Sequence, residues 1–488
     1  MAADRSVKFE KDAHGNVVVT GDNNHVYVFS APPPEEVLRA LETGKLKPED
    51  VPEAVPQPTL TLRISFADEK RESWTVTVTS SPTREHAVPV PWKTEGNFGF
   101  FLETFWKLTA DAIQSDDQRG SLYAAAVALG AALRNVLTEA DANLLIARAR
   151  GDGPPPFLVI ESDDDLILAL PWELIRLEDD WTVRNGRLDI ARTVPAEGAP
   201  HLEPPTHPVS LLVNVSAPAG SGLNYEVESY HVTRALHDHV GVRVNEMGEL
   251  DDLVRGLAGD DPPTGVHFSG HGGHGTLTFE DEFGKERQVP VEELLTEINQ
   301  AAPNRKPRFF YLACCHGNTP PSLHEKDPKK TGNVSSTAAQ LHRGGVAQIV
   351  AHFGPVYDAL STNAETAFYR EIAKGRRTRD AVRAARTAMA LPYHPTAREV
   401  QREVDGGDPD GVSPFAWAQL VFYHRGPDYP LGLEITRKYA DAVRAQVARR
   451  VEDAFPGART QVLRAGFIGR RTELHALRRD LKEDKHIH

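Results

Sequence analysis

The alternation of apolar runs with amphipathic stretches predicts the elements of the larger, C-terminal part of the chain. From residue 156 onward, short apolar runs typical of buried strands alternate with stretches in which apolar residues recur every three or four positions, as in helices. The predicted strands are 157–161, 209–215, 266–269, 309–313, 346–351 and 418–423. The predicted helices are 226–239, 249–257, 291–301, 335–343, 363–374 and 378–391. Such alternation favours an α/β fold with a mainly parallel sheet and helices on both faces.

The first 150 residues follow other patterns. Residues 15–29 predict strand, Gly-Asp-Asn-Asn turn and strand, and a short helix at 35–43 follows a Pro-rich break. Residues 60–66 and 73–79 alternate apolar and polar positions, which predicts a hairpin. Helical periodicity covers 100–113 and 121–150, where Thr138 is a candidate cap for the second half. We therefore predict a small β-rich extension at 1–57, ahead of a main domain at 58–430.

Two of the predicted strands end in reactive side chains. Strand 266–269 runs into Gly270, His271 and Gly272, and strand 309–313 runs into Cys314 and Cys315. The carboxyl ends of neighbouring parallel strands meet at the same sheet edge, where α/β proteins place ligand chemistry. An imidazole beside a thiol lowers the pKa of the thiol, and the thiolate is the nucleophile. The pattern indicates a cysteine protease.

Composition limits the other classes of function. A chain of 488 residues favours two or three domains, and its net charge of -14 argues against broad nucleic-acid binding. No run approaches the roughly 20 apolar residues of a membrane span, and the polar N-terminus lacks the core of a secretory signal. Two adjacent cysteines form no disulfide framework, which favours a reducing compartment. We expect a cytoplasmic protein that binds neither nucleic acid nor membrane.

The order and spacing of these motifs resemble a known family. His271 precedes Cys314 at a distance close to the roughly 50 residues of the caspase signature. Further motifs are Leu-Pro-Trp-Glu-Leu at 170–174, Gly-Gly-Val-Ala at 344–347, Val-Tyr-Asp at 356–358 and a late strand around Trp417. From about residue 60 to 430 the chain resembles a CHAT domain, a caspase-like peptidase domain common in bacterial proteins. The resemblance implies a caspase-like sheet with a pseudo-caspase-like half at about 58–205 and a catalytic half at about 206–430.

The resemblance also implies residue roles. In the family pattern Ala-Cys-x-x-Gly, Cys314 is the nucleophile, and His271 accepts the thiol proton and later donates one to the leaving amine. The backbone N–H groups of Gly272 and Cys314 would form the oxyanion hole, a contribution of ~3–4 kcal/mol per donor. Cys315 is the alternative nucleophile, because the shorter caspase pattern fits it after a shift of one residue. Nothing in the sequence identifies a third residue that orients His271.

Two plainer interpretations compete with the dyad. A buried cysteine and a nearby histidine can be packing residues, since a free cysteine behaves as a small hydrophobe. Zinc is the second, because the same segments offer several nitrogen and sulfur donors. These donors are His267, His271, His274, Cys314, Cys315 and His316. His267 lies on the strand and the chain has no Cys-x-x-Cys pair, so we expect neither a metal nor another cofactor.

Substrate selection leaves few traces in the sequence. We expect a protein or peptide substrate. Asp358, past strand 346–351, is a candidate pocket residue that would favour a basic side chain before the cut; it could equally cap the next helix or face solvent. The polar loop 318–334 directly follows the cysteines, and caspases remodel this region on activation, so it is a candidate activation or self-cleavage loop.

The C-terminal segment 431–488 predicts a charged helical linker and the start of another domain. Phe-Ile-Gly-Arg-Arg-x-Glu-Leu at 467–474 resembles the entry segment of STAND-class signalling NTPases, which commonly follow CHAT domains. No Gly-x-x-x-x-Gly-Lys-Ser/Thr loop occurs, so we expect the chain to stop before the ATPase core and to bind no nucleotide. The preferred interpretation is the peptidase effector of a bacterial signalling or defence protein, with oligomerisation possible through the NTPase region. The alternative is a catalytically silent caspase-like scaffold.

Overall fold

A computed structural model describes residues 59–432 with gaps, together with three short strands between residues 8 and 29. The longest gaps are 196–208, 318–335 and 391–412. The predictions for helix 35–43, for loop 318–334 and for residues 433–488 lie outside the described residues.

The elements follow the predicted alternation closely. The described strands are β1 (Lys8–Lys11), β2 (Val17–Thr20), β3 (Val26–Phe29), β4 (Thr59–Phe66), β5 (Ser73–Thr79), β6 (Arg84–Pro89), β7 (Phe157–Glu161), β8 (Arg176–Leu177), β9 (Asp180–Trp181), β10 (Asp189–Thr193), β11 (Leu211–Val215), β12 (Val242–Asn245), β13 (Gly265–Ser269), β14 (Gly272–Gly273), β15 (Thr276–Glu280), β16 (Glu286–Pro290), β17 (Phe309–Ala313), β18 (Gln348–His352) and β19 (Leu420–His424). The described helices are α1 (Phe98–Ala110), α2 (Asp116–Glu139), α3 (Asn143–Arg150), α4 (Asp165–Ala169), α5 (Tyr225–Ala235), α6 (Leu250–Ala258), α7 (Val291–Ala301), α8 (Thr337–Arg343), α9 (Asp358–Ala373) and α10 (Thr378–Ala390). Short 3-10 turns occupy Trp172–Leu174 and Ala416–Gln419.

One large sheet organises the domain. Its eleven described strands follow the order β12-β11-β13-β17-β18-β19-β10-β7-β4-β5-β6. Strands β12, β11, β13, β17 and β18 are parallel, as are β10, β7 and β4. The prediction of a mainly parallel sheet is confirmed, with two departures. Strand β19 is antiparallel to β18 and parallel to β10, and the predicted hairpin β4–β5 extends through β6 into an antiparallel edge.

Helices cover both faces, because successive side chains of each strand point to opposite sides. In β17, Tyr311 packs into one apolar cluster, and Phe310 and Leu312 pack into the other. The first cluster contains apolar side chains of α2, α9 and α10, and the second contains those of α6, α7 and α8. Strand β17 is therefore buried on both faces, which explains its continuous apolar sequence.

The prediction for Thr138 was wrong. Thr138 lies inside α2, where its hydroxyl donates a hydrogen bond to the carbonyl of Arg134 at 3.3 Å. The helix ends at Ala140, and α3 begins after Ala142 without a side-chain cap. Threonine can bond to the preceding turn as well as cap a helix, so the residue type alone did not locate the break.

Helix α2 is the one helix among the described residues that is long and apolar enough to cross a membrane, by length and composition only. Half of its most apolar window is buried inside the domain. Leu122, Leu129 and Leu133 lie in the apolar core. Its hydrophobic face is therefore accounted for by packing against the rest of the domain.

A buried ion-pair cluster around Glu173 joins distant parts of the sheet. Glu173, in the Trp172–Leu174 turn, accepts hydrogen bonds from two nitrogens of Arg192 on β10, at 2.6 and 2.7 Å. Arg386 on α10 donates to the same carboxylate at 2.7 Å and to the carbonyl of Leu420 on β19. Burial opposes ionisation of Glu173, but the charges of Arg192 and Arg386 outweigh it and lower the pKa of Glu173. The glutamate of the Leu-Pro-Trp-Glu-Leu motif is therefore the fully buried carboxylate of this ion-pair cluster.

Candidate active site

The two chemistry-bearing segments leave the sheet side by side. Strands β13 and β17 are parallel neighbours, with Ser269 opposite Ala313 at their carboxyl ends. Beyond that pair, the N–H of Gly270 donates to the carbonyl of Ala313 at 3.3 Å. His271 and Cys314 follow directly, so both segments reach the same edge of the sheet.

A small hairpin holds the segment after His271 against the cysteines. Residues Gly272–Gly273 form β14 and pair with β15. The N–H of Thr278 on β15 donates to the carbonyl of His271 at 3.0 Å. The backbone around His271 is therefore fixed on both sides, by β17 and by the hairpin.

Gly272 lies in close contact with Cys314. A Cβ atom added to Gly272 would lie 2.8 Å from Sγ of Cys314 and 2.6 Å from the carbonyl oxygen of Cys315. Both distances are shorter than a van der Waals contact, so only glycine allows this approach. The two residues predicted for the oxyanion hole, Gly272 and Cys314, thus meet at the sheet edge.

The two cysteines occupy different environments. Cys314 is 3% exposed and packs into the apolar cluster that contains Leu312 and Phe353. Burial raises the pKa of its thiol, and the nearby Cys315 and Glu228 raise it further. Cys315 is partly exposed. In this conformation the Cys314 thiol is therefore protonated at neutral pH.

The family follows from a sequence comparison. The family model of the CHAT domain matches residues 127–426, more than half of the chain. This chain belongs to the CHAT family. The match bears out the resemblance inferred from the motifs, and it ends before residues 467–474, for which the NTPase assignment stays a prediction.

Solved structures with related architecture share little sequence with this CHAT chain. Two structures of the Saccharomyces cerevisiae separase–securin complex match at 10% and 11% identity, with TM-scores of 0.44 and 0.43; each match covers 75% of this chain and 30% of the other. Caspase-1 from Spodoptera frugiperda matches at 14% identity with a TM-score of 0.29, over 50% of this chain and all of the caspase. The CHAT chain spans about 30% of the length of the separase chains. No curated protein matches it in sequence.

His267 of this CHAT domain lies in a polar network that the sequence did not reveal. Its Nε2 lies 2.9 Å from a carboxylate oxygen of Glu228 on α5, and its Nδ1 lies 3.0 Å from the hydroxyl of Tyr369 on α9. Ser269 donates to the second oxygen of Glu228 at 2.6 Å. A histidine inside an apolar strand was the available signal, but its partners come from helices 39 and 102 positions away.

The structure separates His267 from the predicted zinc donors. The His267 ring stacks on Tyr311 and contacts Tyr369, whose side chains belong to one apolar cluster. Cys314 packs into the cluster on the other face. Among the described donors, His267 is therefore separated from Cys314, and His274 and His316 lie outside the described residues.

Asp358, the predicted pocket residue, is the first residue of α9. Its side chain lies outside the described part of the structure, and its role as a pocket residue stays a prediction. The helix begins five positions before Asn363, so Asp358 is part of the helix itself.

Proposed function

We propose that this CHAT domain is a caspase-like cysteine endopeptidase, with Cys314 as the nucleophile and His271 as the general acid–base. The observation that carries the proposal is the meeting of Gly272 with the Cys314 sulfur at the end of two parallel strands. A nucleophile beside a backbone N–H is the arrangement that acyl transfer requires.

The first half of the proposed reaction forms a thioester. His271 takes the Cys314 proton, and the sulfur attacks the carbonyl carbon of the scissile peptide bond. The negative charge that develops on the carbonyl oxygen is stabilised by the N–H groups of Gly272 and Cys314. As the intermediate collapses, the C–N bond breaks and His271 protonates the leaving amine.

The second half restores the cysteine. His271 removes a proton from a water molecule, which attacks the thioester carbonyl. The C–S bond breaks, the product leaves as a carboxylic acid, and the proton held by His271 returns to the sulfur. No electron acceptor or metal is needed for this sequence.

The burial of Cys314 supports the proposal that the described conformation is an inactive resting state of the peptidase. A protonated, 3% exposed thiol is a poor nucleophile until substrate or a rearrangement brings a base and a peptide to it. We propose that loop 318–334 contributes to this change, since it follows the cysteines directly in the chain. The peptidase would then stay inactive until this conformational change occurs.

Separate Cys314→Ala and Cys315→Ala variants test the proposal. We expect Cys314→Ala to lower cleavage of a positional-scanning peptide library by at least about 10³-fold, because the nucleophile is lost. Cys315→Ala should keep most of the activity. An acyloxymethyl-ketone probe should label wild type and Cys315→Ala, and tandem mass spectrometry should locate the label on Cys314. Library cleavage that survives Cys314→Ala but not Cys315→Ala would move the nucleophile to Cys315.

A catalytically silent scaffold is the second candidate, and the burial of the Cys314 side chain is the observation that favours it. Such a domain would bind a protein partner through the same fold without turnover. Wild-type protein that cleaves nothing in the library and takes up no ketone probe, unchanged by either substitution, would favour the scaffold.

The proposed setting is a larger bacterial signalling or defence protein. We propose that residues 467–474 enter an NTPase domain, whose assembly would oligomerise the chain and release the peptidase in the cytoplasm. Size-exclusion chromatography of the natural protein with and without ATP tests this setting; an oligomeric state that ATP does not change would contradict this part of the proposal.

A further inference from the structure

Three potential metal ligands converge on the face of the sheet opposite the Cys314 side chain. One carboxylate oxygen each of Glu228 and Glu365 and one ring nitrogen of His267 all lie within 4.8 Å of one another. His267 and Glu365 are fully buried, and the Glu228 side chain is 17% exposed. They come from β13, α5 and α9, so the fold itself brings them together.

The hydrogen bonds around these ligands resemble the outer shell of a metal site. Ligands about 2.0–2.2 Å from one zinc ion lie about 3–3.5 Å apart, and Nε2 of His267 already lies 2.9 Å from the Glu228 oxygen. The second oxygen of Glu228 is held by the Ser269 hydroxyl. Nδ1 of His267 faces the Tyr369 hydroxyl, and a metal-bound histidine commonly donates its other N–H to such an oxygen.

An independent feature is the hydroxyl of Tyr311. This side chain is fully buried, its ring stacks on His267, and within the described part of the chain its hydroxyl has no hydrogen-bond partner. Burial raises the pKa of Tyr311, and the charges of Glu365 and Glu228 raise it further. A buried, unbonded hydroxyl is costly unless it has a partner, such as a water molecule bound to an ion.

We propose that Glu228, His267 and Glu365 bind one Zn²⁺ ion, with the Tyr311 hydroxyl hydrogen-bonded to a water molecule on that ion. The mixed donor set selects the metal, because imidazole with carboxylate suits zinc, whereas Ca²⁺ and Mg²⁺ favour oxygen ligands throughout. The ion binds Nε2 of His267 in the neutral tautomer that carries its single ring proton on Nδ1, and Nδ1–H then donates to the Tyr369 hydroxyl. A carboxylate oxygen of Glu365 completes the protein ligands.

Zinc stoichiometry of the full chain tests the proposal. The protein is stripped with a chelator, equilibrated with ZnCl₂ and measured by atomic emission and by titration calorimetry. We expect one tightly bound zinc per chain, and at least a tenfold weaker affinity in Glu228→Gln and in Glu365→Gln. Glu280→Gln, which alters another buried carboxylate that accepts the Ala217 N–H, should bind as wild type.

Two further measurements identify the ligands. A Cys314→Ser/Cys315→Ser double variant should bind zinc as wild type, since the thiols are not ligands. Wild-type protein loaded with Co²⁺ should lack a thiolate-to-cobalt charge-transfer band, a result that needs no variant to fold. Absence of stoichiometric zinc in wild type, unchanged affinity in both glutamate variants, loss of binding in the cysteine variant, or a thiolate band would each overturn the proposal.

Discussion

Glu173 and Glu228 lie in polar networks of the same sheet, and their partners differ. Glu173 is fully buried and receives hydrogen bonds from Arg192 and Arg386, which lower its pKa against the effect of burial. Glu228 is partly exposed and faces the imidazole of His267 and the hydroxyl of Ser269. In the first network, both partners of the carboxylate are permanently charged guanidinium groups. In the second network, the partners are an imidazole and a hydroxyl, and neither is a permanent cation.

A third carboxylate indicates how much cationic support burial requires. Asp189 is bound by the guanidinium of Arg383, yet burial raises the pKa of Asp189 despite that partner. The two guanidinium groups outweigh burial at Glu173, whereas at Asp189 the charges of Arg383 and Arg379 do not, and the charge of Asp380 raises the pKa of Asp189 further. We infer that the Glu173 cluster stabilises the fold, whereas chemistry at the strand ends stays a proposal.

The largest expected effect on stability is at Glu173. Replacing Glu173 with Ala leaves Arg192 and Arg386 buried without their anion, and the loss of one partner of a buried pair costs ~3–5 kcal/mol. Urea unfolding followed by circular dichroism measures the change. The control is Arg63→Ala, which removes an ion pair with Glu161 in which the Arg63 side chain is 59% exposed, and which should cost at most about 1 kcal/mol. Equal losses of unfolding free energy in the two variants would contradict a stabilising role for the buried Glu173 cluster.

Substitution of Gly272 should also lower activity, though less than Cys314→Ala does. An Ala side chain there would overlap Sγ of Cys314 and the carbonyl of Cys315, so the strand ends must move apart. If the domain is a peptidase, we expect kcat/KM to fall by about 10²-fold, or about 2.7 kcal/mol, with little change in the urea midpoint. Gly120→Ala is the control, because a Cβ there meets nothing within 4 Å.

Acid should weaken the Glu173 cluster. Because the folded pKa of Glu173 is lowered, its stabilisation is fully present above the ordinary value of about 4.3 and is lost as pH falls through the lower folded value. We expect unfolding free energy to drop between about pH 5 and pH 3, and to drop less in Glu173→Gln, which binds no proton there. Parallel curves for the two proteins would contradict the assignment.

The smallest expected effect is a difference between the alkylation rates of the two thiols. Cys314 is buried with a raised pKa and Cys315 is partly exposed, so iodoacetamide at pH 7 should modify Cys315 first, by about tenfold, since only the thiolate reacts. The rate at Cys314 should continue to rise with pH above 9. Mass spectrometry of the peptide that contains both residues measures each rate. Faster modification of Cys314 at pH 7 would mean that the thiol is already activated.

The sequence predicted the fold well where burial is uniform. Strand 309–313 was predicted with the observed boundaries, because a strand buried on both faces is apolar at every position. The strand pattern also predicted that His271 and Cys314 follow neighbouring parallel strands, as they do, while their catalytic roles stay a prediction. Local periodicity was enough for these elements.

The sequence failed where partners are distant. Strand β10 was missed because Asp189 and Arg192 are polar at positions that are buried, and only Arg383 and Glu173, far along the chain, explain this. The antiparallel direction of β19 was not predicted either, because no local sequence pattern sets the direction of a strand. In the sequence, nothing distinguished Glu228 from the other residues of its predicted helix. The fold places its carboxylate beside the ring of His267.

The position of β19 has a consequence for synthesis. This strand, Leu420–His424, comes last in sequence among the described strands of the sheet but lies between β18 and β10 in space. While the nascent chain leaves the ribosome, the two parts of the sheet therefore present open edges to each other and to neighbouring chains. A message truncated before codon 420 would yield a polypeptide with both edges unpaired, and we expect it to aggregate or to recruit chaperones.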